Sequence, residues 1–137
     1  MNGYLLDTNV ISELRKPKPH GGVVAWVNGL RADQVYLSSV TLGELQSGVE
    51  RTRRQDPEKA AEIEQWIGQL NSTMQVLPMD GACFREWARL MHGRPHQLLE
   101  EAMIAAQARI HGLTVVTRNQ RDFHEFAVRM TNPFERR

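Results

Sequence analysis

Cysteine is almost absent from the chain: Cys83 is the only one in 137 residues. A lone thiol permits no internal disulfide and no cysteine-built zinc cage. Lysine is nearly as scarce, with only Lys16, Lys18 and Lys59. An excess of one charge is lacking too. Seventeen basic and sixteen acidic residues leave a formal +1, which neither announces nor excludes a nucleic-acid partner. No long apolar run occurs. The longest uncharged stretch, Gln65 to Met79, is fifteen residues and carries three Gln, an Asn, a Ser and a Thr, too short and too polar to span a bilayer. The opening residues meet Asp7 without a basic segment followed by an apolar one, so no signal peptide is expected and the chain reads as cytoplasmic. What remains is ordinary for a globular protein. An apolar fraction of 41% with 24% charged residues excludes wholesale disorder, and the length suits one domain over residues 1–137.

Apolar and polar residues alternate between two patterns along the chain. Tyr4-Leu5-Leu6 is a short apolar run that stops at Asp7-Thr8-Asn9, as a buried strand entering a loop does. Ser12 and Glu13 fall in a short helix that Lys16-Pro17-Lys18-Pro19 breaks. Helical spacing follows over Val23–Leu30, then a strand over Val35–Ser38 and a helix from Thr41 to about Arg54. Asp56 and Pro57 open a further helix whose Ala60, Ile63, Ile67 and Leu70 form one stripe. Gln75–Pro78 reads as a third strand, Asp80–His92 and Leu98–His111 as helices, with Gly112 ending the second. Leu113–Val116 is a fourth strand, and a last extended segment lies around Ala127–Met130. Strands alternating with helices, without tight hairpin signals, predict an α/β fold with a parallel sheet covered on both faces.

In such a fold chemistry gathers beyond the carboxyl ends of the strands. Asp7 closes the first strand and Asp122 follows the fourth; Glu44 and Glu101 stand near the starts of two helices. A helix cap or a solvated charge explains any one of these acids. Four together would repel one another and call for a cation, and carboxylate oxygens suit Mg²⁺ or Mn²⁺. Thr8, Thr117 and Asn119 lie where they can orient water or phosphate, or simply satisfy a loop. Arg118 and Arg121 can offset the acids when a phosphate backbone arrives, and Arg51, Arg53 and Arg54 form a second basic patch. The five histidines show no metal spacing, and Cys83 reads as packing.

Four stretches carry a resemblance. Leu5-Leu6-Asp7-Thr8-Asn9-Val10-Ile11-Ser12-Glu13, Ser39-Val40-Thr41-Leu42-Gly43-Glu44-Leu45, Glu101-Ala102-Met103-Ile104-Ala105-Ala106, and Thr117-Arg118-Asn119 with Asp122-Phe123 resemble the ordered motifs of PIN-domain toxins of the VapC type (FitB-like), down to the closing Asn132-Pro133-Phe134. The resemblance implies a three-layer α/β/α sandwich with a central parallel sheet of four to five strands. It also implies a Mg²⁺- or Mn²⁺-dependent endoribonuclease with Asp7, Glu44, Glu101 and Asp122 as catalytic and metal-binding residues. A cognate antitoxin and a homodimer belong to the same expectation. The third acid departs from the pattern, since such toxins carry aspartate where this chain has Glu101, preceded by Glu100. Of the two, Glu101 matches the register, and adjacent helical residues point about 100° apart, so one is expected to face the site.

Two other readings stand beside it. An aspartyl-phosphate enzyme also places Asp after a first strand, but it needs a late lysine that this chain lacks. A PIN-like interaction module with a weakened nuclease site would bind no metal and cut no RNA. For the partner, Val23, Val24, Trp26, Val27 and Leu30, with Leu42, Leu45 and Val49, offer more apolar side chains than one sheet face buries. Any surplus would line a groove for an antitoxin helix or tail, with Trp26, Leu30 and Leu45 as candidate contacts.

Overall fold

The computed structural model describes residues 3–135. Strands β1 (Tyr4–Leu6), β2 (Val35–Ser38), β3 (Gln75–Leu77), β4 (Thr114–Val116) and β5 (Met130–Thr131) form one sheet in the order β3-β2-β1-β4-β5. Every pairing in it is parallel. The chain works outward from β1 to β3, then crosses back to place β4 on the other side of β1. The crevice therefore opens beyond the carboxyl ends of β1 and β4, where neighbouring connections leave in opposite directions.

Side-chain alternation in β1 assigns the two faces. Leu5 packs with Val115, Ala102, Ala105, Phe123 and Phe126, whereas Leu6 packs with Leu37, Val116, Val10 and Val23. Helices α1 (Thr8–Arg15), α2 (Gly21–Asn28) and α4 (Pro57–Thr73) cover the Leu6 side, and α5 (Gly81–Met91), α6 (Leu99–His111) and the single turn α7 (Gln120–Phe123) the Leu5 side. Helix α3 (Ser39–Arg53) directs Leu42 and Leu45 to the Leu6 side and Val40 to the other. The result is the expected three-layer α/β/α sandwich with a five-stranded parallel sheet. Leu5 and Leu6 are essentially inaccessible, and each contributes roughly 1.5–3 kcal/mol by leaving water.

Several boundaries differ from the sequence expectation, each for a local reason. The first helix starts at Thr8, directly after β1, because Asp7 itself caps it through the Thr8 N–H at 2.9 Å. Ser38 caps α3 in the same way, so that helix begins two residues before Thr41. The helix expected over Val23–Leu30 runs from Gly21 to Asn28, opened by His20, whose ring nitrogen accepts from the Gly22 and Val23 N–H groups. At Ala127 the backbone turns left-handed (φ 52°), so the last strand starts only at Met130. Gly112 ends α6 as anticipated, at φ 66°, a conformation open to glycine without strain. Among the described residues no helix is long and apolar enough to cross a membrane.

One buried polar group ties helix α6 to the sheet. Gln107 is fully buried; it accepts from the Ser38 hydroxyl at 2.5 Å and donates to the Leu77 and Pro78 carbonyls at 2.9 and 3.1 Å. It thereby fixes α6 against the carboxyl ends of β2 and β3. Gln107→Leu leaves three buried partners without a mate and is expected to cost about 2–4 kcal/mol by urea denaturation. An unchanged midpoint would show that the network contributes nothing.

Candidate functional site

The acidic cluster is assembled around Asp7. Its amide donates to the Val116 carbonyl at 2.9 Å, which fixes the backbone to β4. The side chain is only 7% exposed, yet three donors hold it: the Thr8 N–H at 2.9 Å on Oδ1, and Asn9 Nδ2 at 3.0 Å and Thr117 Oγ1 at 2.8 Å on Oδ2. A carboxylate offers about four acceptor directions, so one on Oδ1 is left. The Thr117 hydroxyl also receives the Asn119 N–H at 2.9 Å, and Asn9 Oδ1 receives the Arg118 N–H at 3.1 Å. Two loops from neighbouring strands are thus stitched together through one carboxylate.

A cavity of about 270 Å³ opens beside it, lined by Asp7, Thr8, Asn9, Glu44, Glu100, Glu101, Ile104 and Asn119. Glu44 enters from α3 and accepts from the Thr8 hydroxyl at 2.9 Å, itself 3.1 Å from the Thr41 hydroxyl. Both glutamates at the start of α6 reach the cavity, so the expectation that one alone faces it is corrected. Glu100 hydrogen-bonds the Glu44 carboxyl, while Glu101 feels Asp122 and Asp7. Glutamate side chains are long enough to bend around the first helical turn, and the N-terminal dipole favours both. Asp122, carried on α7, repels both Asp7 and Glu101 but is not among the lining residues.

Burial sets the electrostatics. Loss of water raises the Asp7 carboxyl above its usual range, opposed by its Thr117, Thr8 and Asn9 hydrogen bonds and reinforced by Asp122. Glu44 is pushed up to about 7, first by burial, then by Glu100 and Asp7, against the Thr8 bond. Glu101 is raised by burial, with further repulsion from Asp122, Asp7 and Glu100. Two other hollows in the molecule each hold an arginine that is already paired. Arg109 meets Glu86 at 2.6 Å, and Arg53 is spent on Glu50 and Glu64 at 3.2 and 3.0 Å. The Arg51–Arg54 patch is therefore partly neutralised, and Arg121 faces a separate depression with His124 and Met130.

A model of the PIN-domain family matches residues 4–129. The chain belongs to the PIN-domain family. Its likeness to individual members runs the whole length. The toxin FitB of Neisseria gonorrhoeae is 37% identical, the match covering 95% of this chain and 97% of that one. The VapC ribonuclease Y4jK of Sinorhizobium fredii is 33% identical over 96% and 97%. The crystal structure of FitAcB from Neisseria gonorrhoeae superposes with a TM-score of 0.83 at 34% identity, covering 96% of this chain and 98% of that one.

The donor set of this PIN domain fits a hard divalent cation. Every polar side chain at the cavity ends in oxygen or an amide, with no thiolate or imidazole, and three of the acids are held above their usual range, first by burial and then by neighbouring carboxylates. Among the described residues no three carboxylate, imidazole or thiolate groups are drawn close enough to form a ready-made cage. The sequence reading missed Asn9 and Thr41, although Asn9 sits two residues past an acid at a strand end. It weighed Glu100 only as the less favoured candidate for the third acid and did not foresee its contact with Glu44. Trp26 and Leu45 are half-buried, Trp26 edge-on to Tyr4 with ring centroids 5.1 Å apart, and Leu30 is half-buried at the end of α2.

A raised carboxyl binds its proton more tightly folded than unfolded. Such a group stabilises the fold least when it is ionised, so stability falls as pH climbs from the unfolded value of 4.5 toward 7. The thermal midpoint of EDTA-treated protein should therefore drop across this interval, and Glu44→Gln should flatten the drop. A midpoint that rises with pH more steeply in the parent than in the variant would contradict the assignment.

Proposed function

We propose that this PIN-domain protein is the toxin of a toxin–antitoxin pair, acting in the cytoplasm as a Mg²⁺- or Mn²⁺-dependent endoribonuclease. The observation that carries this reading is the cluster of desolvated, mutually repelling carboxylates around Asp7 at the carboxyl edge of the sheet. Relatives named as a toxin and as a ribonuclease support it across the full length. Solved relatives of the FitAB and VapBC type support the antitoxin partner. A single domain over residues 1–137 and a homodimer in complex with the antitoxin complete the proposal.

Asp7, Glu44, Glu101 and Asp122 would hold the ion, directly or through water. When bound, it supplies Lewis acidity that activates water and neutralises charge gathering on the phosphoryl oxygens. The chain's own part is orientation. Thr117, Asn9 and the Thr8 amide lock the Asp7 carboxylate at the cavity wall, leaving one acceptor position on Oδ1. Thr8 also steers Glu44, so one residue sets two acids. Asn119 lines the same cavity and can donate to a phosphate oxygen, and Arg118 brings positive charge to the rim. Single-stranded or looped RNA is the expected form of substrate, because its unstacked bases and flexible backbone can be splayed into a site that a duplex cannot enter. Trp26, Leu30 and Leu45 are proposed to receive an antitoxin segment, with affinity from a few apolar anchors.

Asp7→Asn should lower RNA hydrolysis by about 10²- to 10³-fold with an unchanged far-ultraviolet circular dichroism spectrum. Full activity in that variant, or parent protein that neither binds Mn²⁺ nor cuts RNA, contradicts the nuclease reading; the latter result favours an interaction module. Glu101→Gln should weaken Mn²⁺ binding in calorimetry more than Glu100→Gln, and the reverse order would move the third acid to Glu100. Trp26→Ala should weaken antitoxin binding while sparing RNA cleavage. Normal antitoxin affinity in a folded variant would place the groove elsewhere.

A further inference from the structure

The Asn132-Pro133-Phe134 stretch has so far been given no role, yet its ring meets the arginine that precedes Asn119 of the cavity lining. Asn132 Oδ1 accepts the Phe134 N–H at 3.0 Å, and the half-buried ring packs against the core on the Leu6 side of the sheet. One edge of the ring meets His20, at 5.5 Å between centroids. The guanidinium of Arg118 lies over its face, only 3.8 Å from the centroid. Arg118 is the residue after Thr117, whose hydroxyl binds Asp7, and its own N–H is held by Asn9 of the cavity lining. Both ends of this arginine are therefore fixed, the backbone by Asn9 and the head by Phe134.

Its hydrogen-bonding edge is not used. Among the described residues the Arg118 guanidinium makes no hydrogen bond and no ion pair. The nearby carboxylate that might have claimed it, Glu13, is spent on Lys16 Nζ and the His20 N–H, each at 2.9 Å. An arginine stacked on one face keeps its in-plane donors clear, and those donors match phosphate oxygens two at a time. A strand of RNA approaching four acids needs such a cation, and a freely rotating side chain would lose entropy on every binding event.

We infer that Phe134 is a positioning residue for RNA binding: it stacks on Arg118 and holds the free guanidinium edge at the rim of the acidic cavity to receive a backbone phosphate next to the scissile one. This deepens the ribonuclease reading and rests on it. The ring works through Arg118 and need not touch the substrate. Arg121, which faces another depression, has no such platform.

The test measures binding of a fluorescent single-stranded RNA by anisotropy across a salt series, all in the Asp7→Asn background so that hydrolysis does not intrude. Arg118→Ala should weaken binding and reduce the salt slope by about one unit. Phe134→Leu, which keeps an apolar side chain but removes the π face, should weaken it about two- to five-fold. Phe134→Trp should bind as the parent does. In the double variant, Phe134→Leu should add nothing to Arg118→Ala, because its only route is through the arginine. Thermal melts of each variant report folding. If Phe134→Leu unfolds, the comparison passes to Arg118→Lys, which keeps the charge but not the planar stack, and which should bind less tightly than the parent. Equal loss from Phe134→Leu with and without Arg118, or parent-like binding by folded Phe134→Leu or by Arg118→Lys, overturns the inference while leaving the ribonuclease reading intact. Absence of RNA binding by the Asp7→Asn parent overturns both.

Discussion

The structure depends on a conflict at Asp7. A carboxylate removed from water at the end of a central strand is costly, and three hydrogen-bond donors from two loops offset only part of that cost. The remainder is visible in the raised Asp7, Glu44 and Glu101 carboxyls, which share one small cavity and are lifted first by burial and then by neighbouring carboxylates. Four acids could have been solvated separately at the surface. The fold instead draws them together and spends stability on doing so, as expected of a site built to meet positive charge.

The parallel topology makes that concentration achievable. All five strands are short, two to four residues each, so the chain reaches the carboxyl edge quickly and turns there into α1, α3 and the loop before α7. Because β1 sits at the centre and the connections on its two sides diverge, Asp7 emerges into open space. Helix α6 crosses this opening from the other side of the sheet and brings Glu100 and Glu101 with it. Its depth is set by Ala102, Ala105 and Ala106, all fully buried, and by the Gln107 bridge to Ser38, Leu77 and Pro78. Small residues let the helix approach the sheet closely, and the glutamine fixes where along the sheet it stops.

Much of this was legible in the sequence, where one period dominated. Leu5-Leu6 and Val115-Val116 could only be buried strands, and Gly112, Pro57 and Asp56 marked helix ends by their backbone chemistry. The acids Asp7 and Glu44 stood out because each interrupts apolar neighbours. Less could be read where rotamers decide. Periodicity places Glu100 and Glu101 on different faces of α6, but long side chains in a first turn both reach the cavity, and nothing linear announces that Glu100 meets Glu44. Thr41 was hidden because its partner Thr8 lies 33 residues away, and the bridging role of Asn9 because the Arg118 N–H it receives lies 109 residues away. The N-cap of α1 was masked in another way: Asp7 caps the helix and lines the acidic cavity at once, so its role as a cap does not exclude a role in the cluster.

Distance from the acids does not remove a residue from their business. Phe134 lies near the opposite end of the chain from Asp7, yet the ring governs the arginine that follows Thr117, and Thr117 governs the carboxylate. His20, scattered on inspection of the sequence, caps α2 and abuts the same ring. The account stands or falls on whether the cavity beside Asp7 takes a divalent cation. An anomalous difference map from crystals soaked in Mn²⁺ tests this directly: a peak in contact with the Asp7 carboxylate, shared with Glu44, Glu101 or Asp122, is the predicted result. Manganese peaks elsewhere on the molecule with none at Asp7 would contradict it.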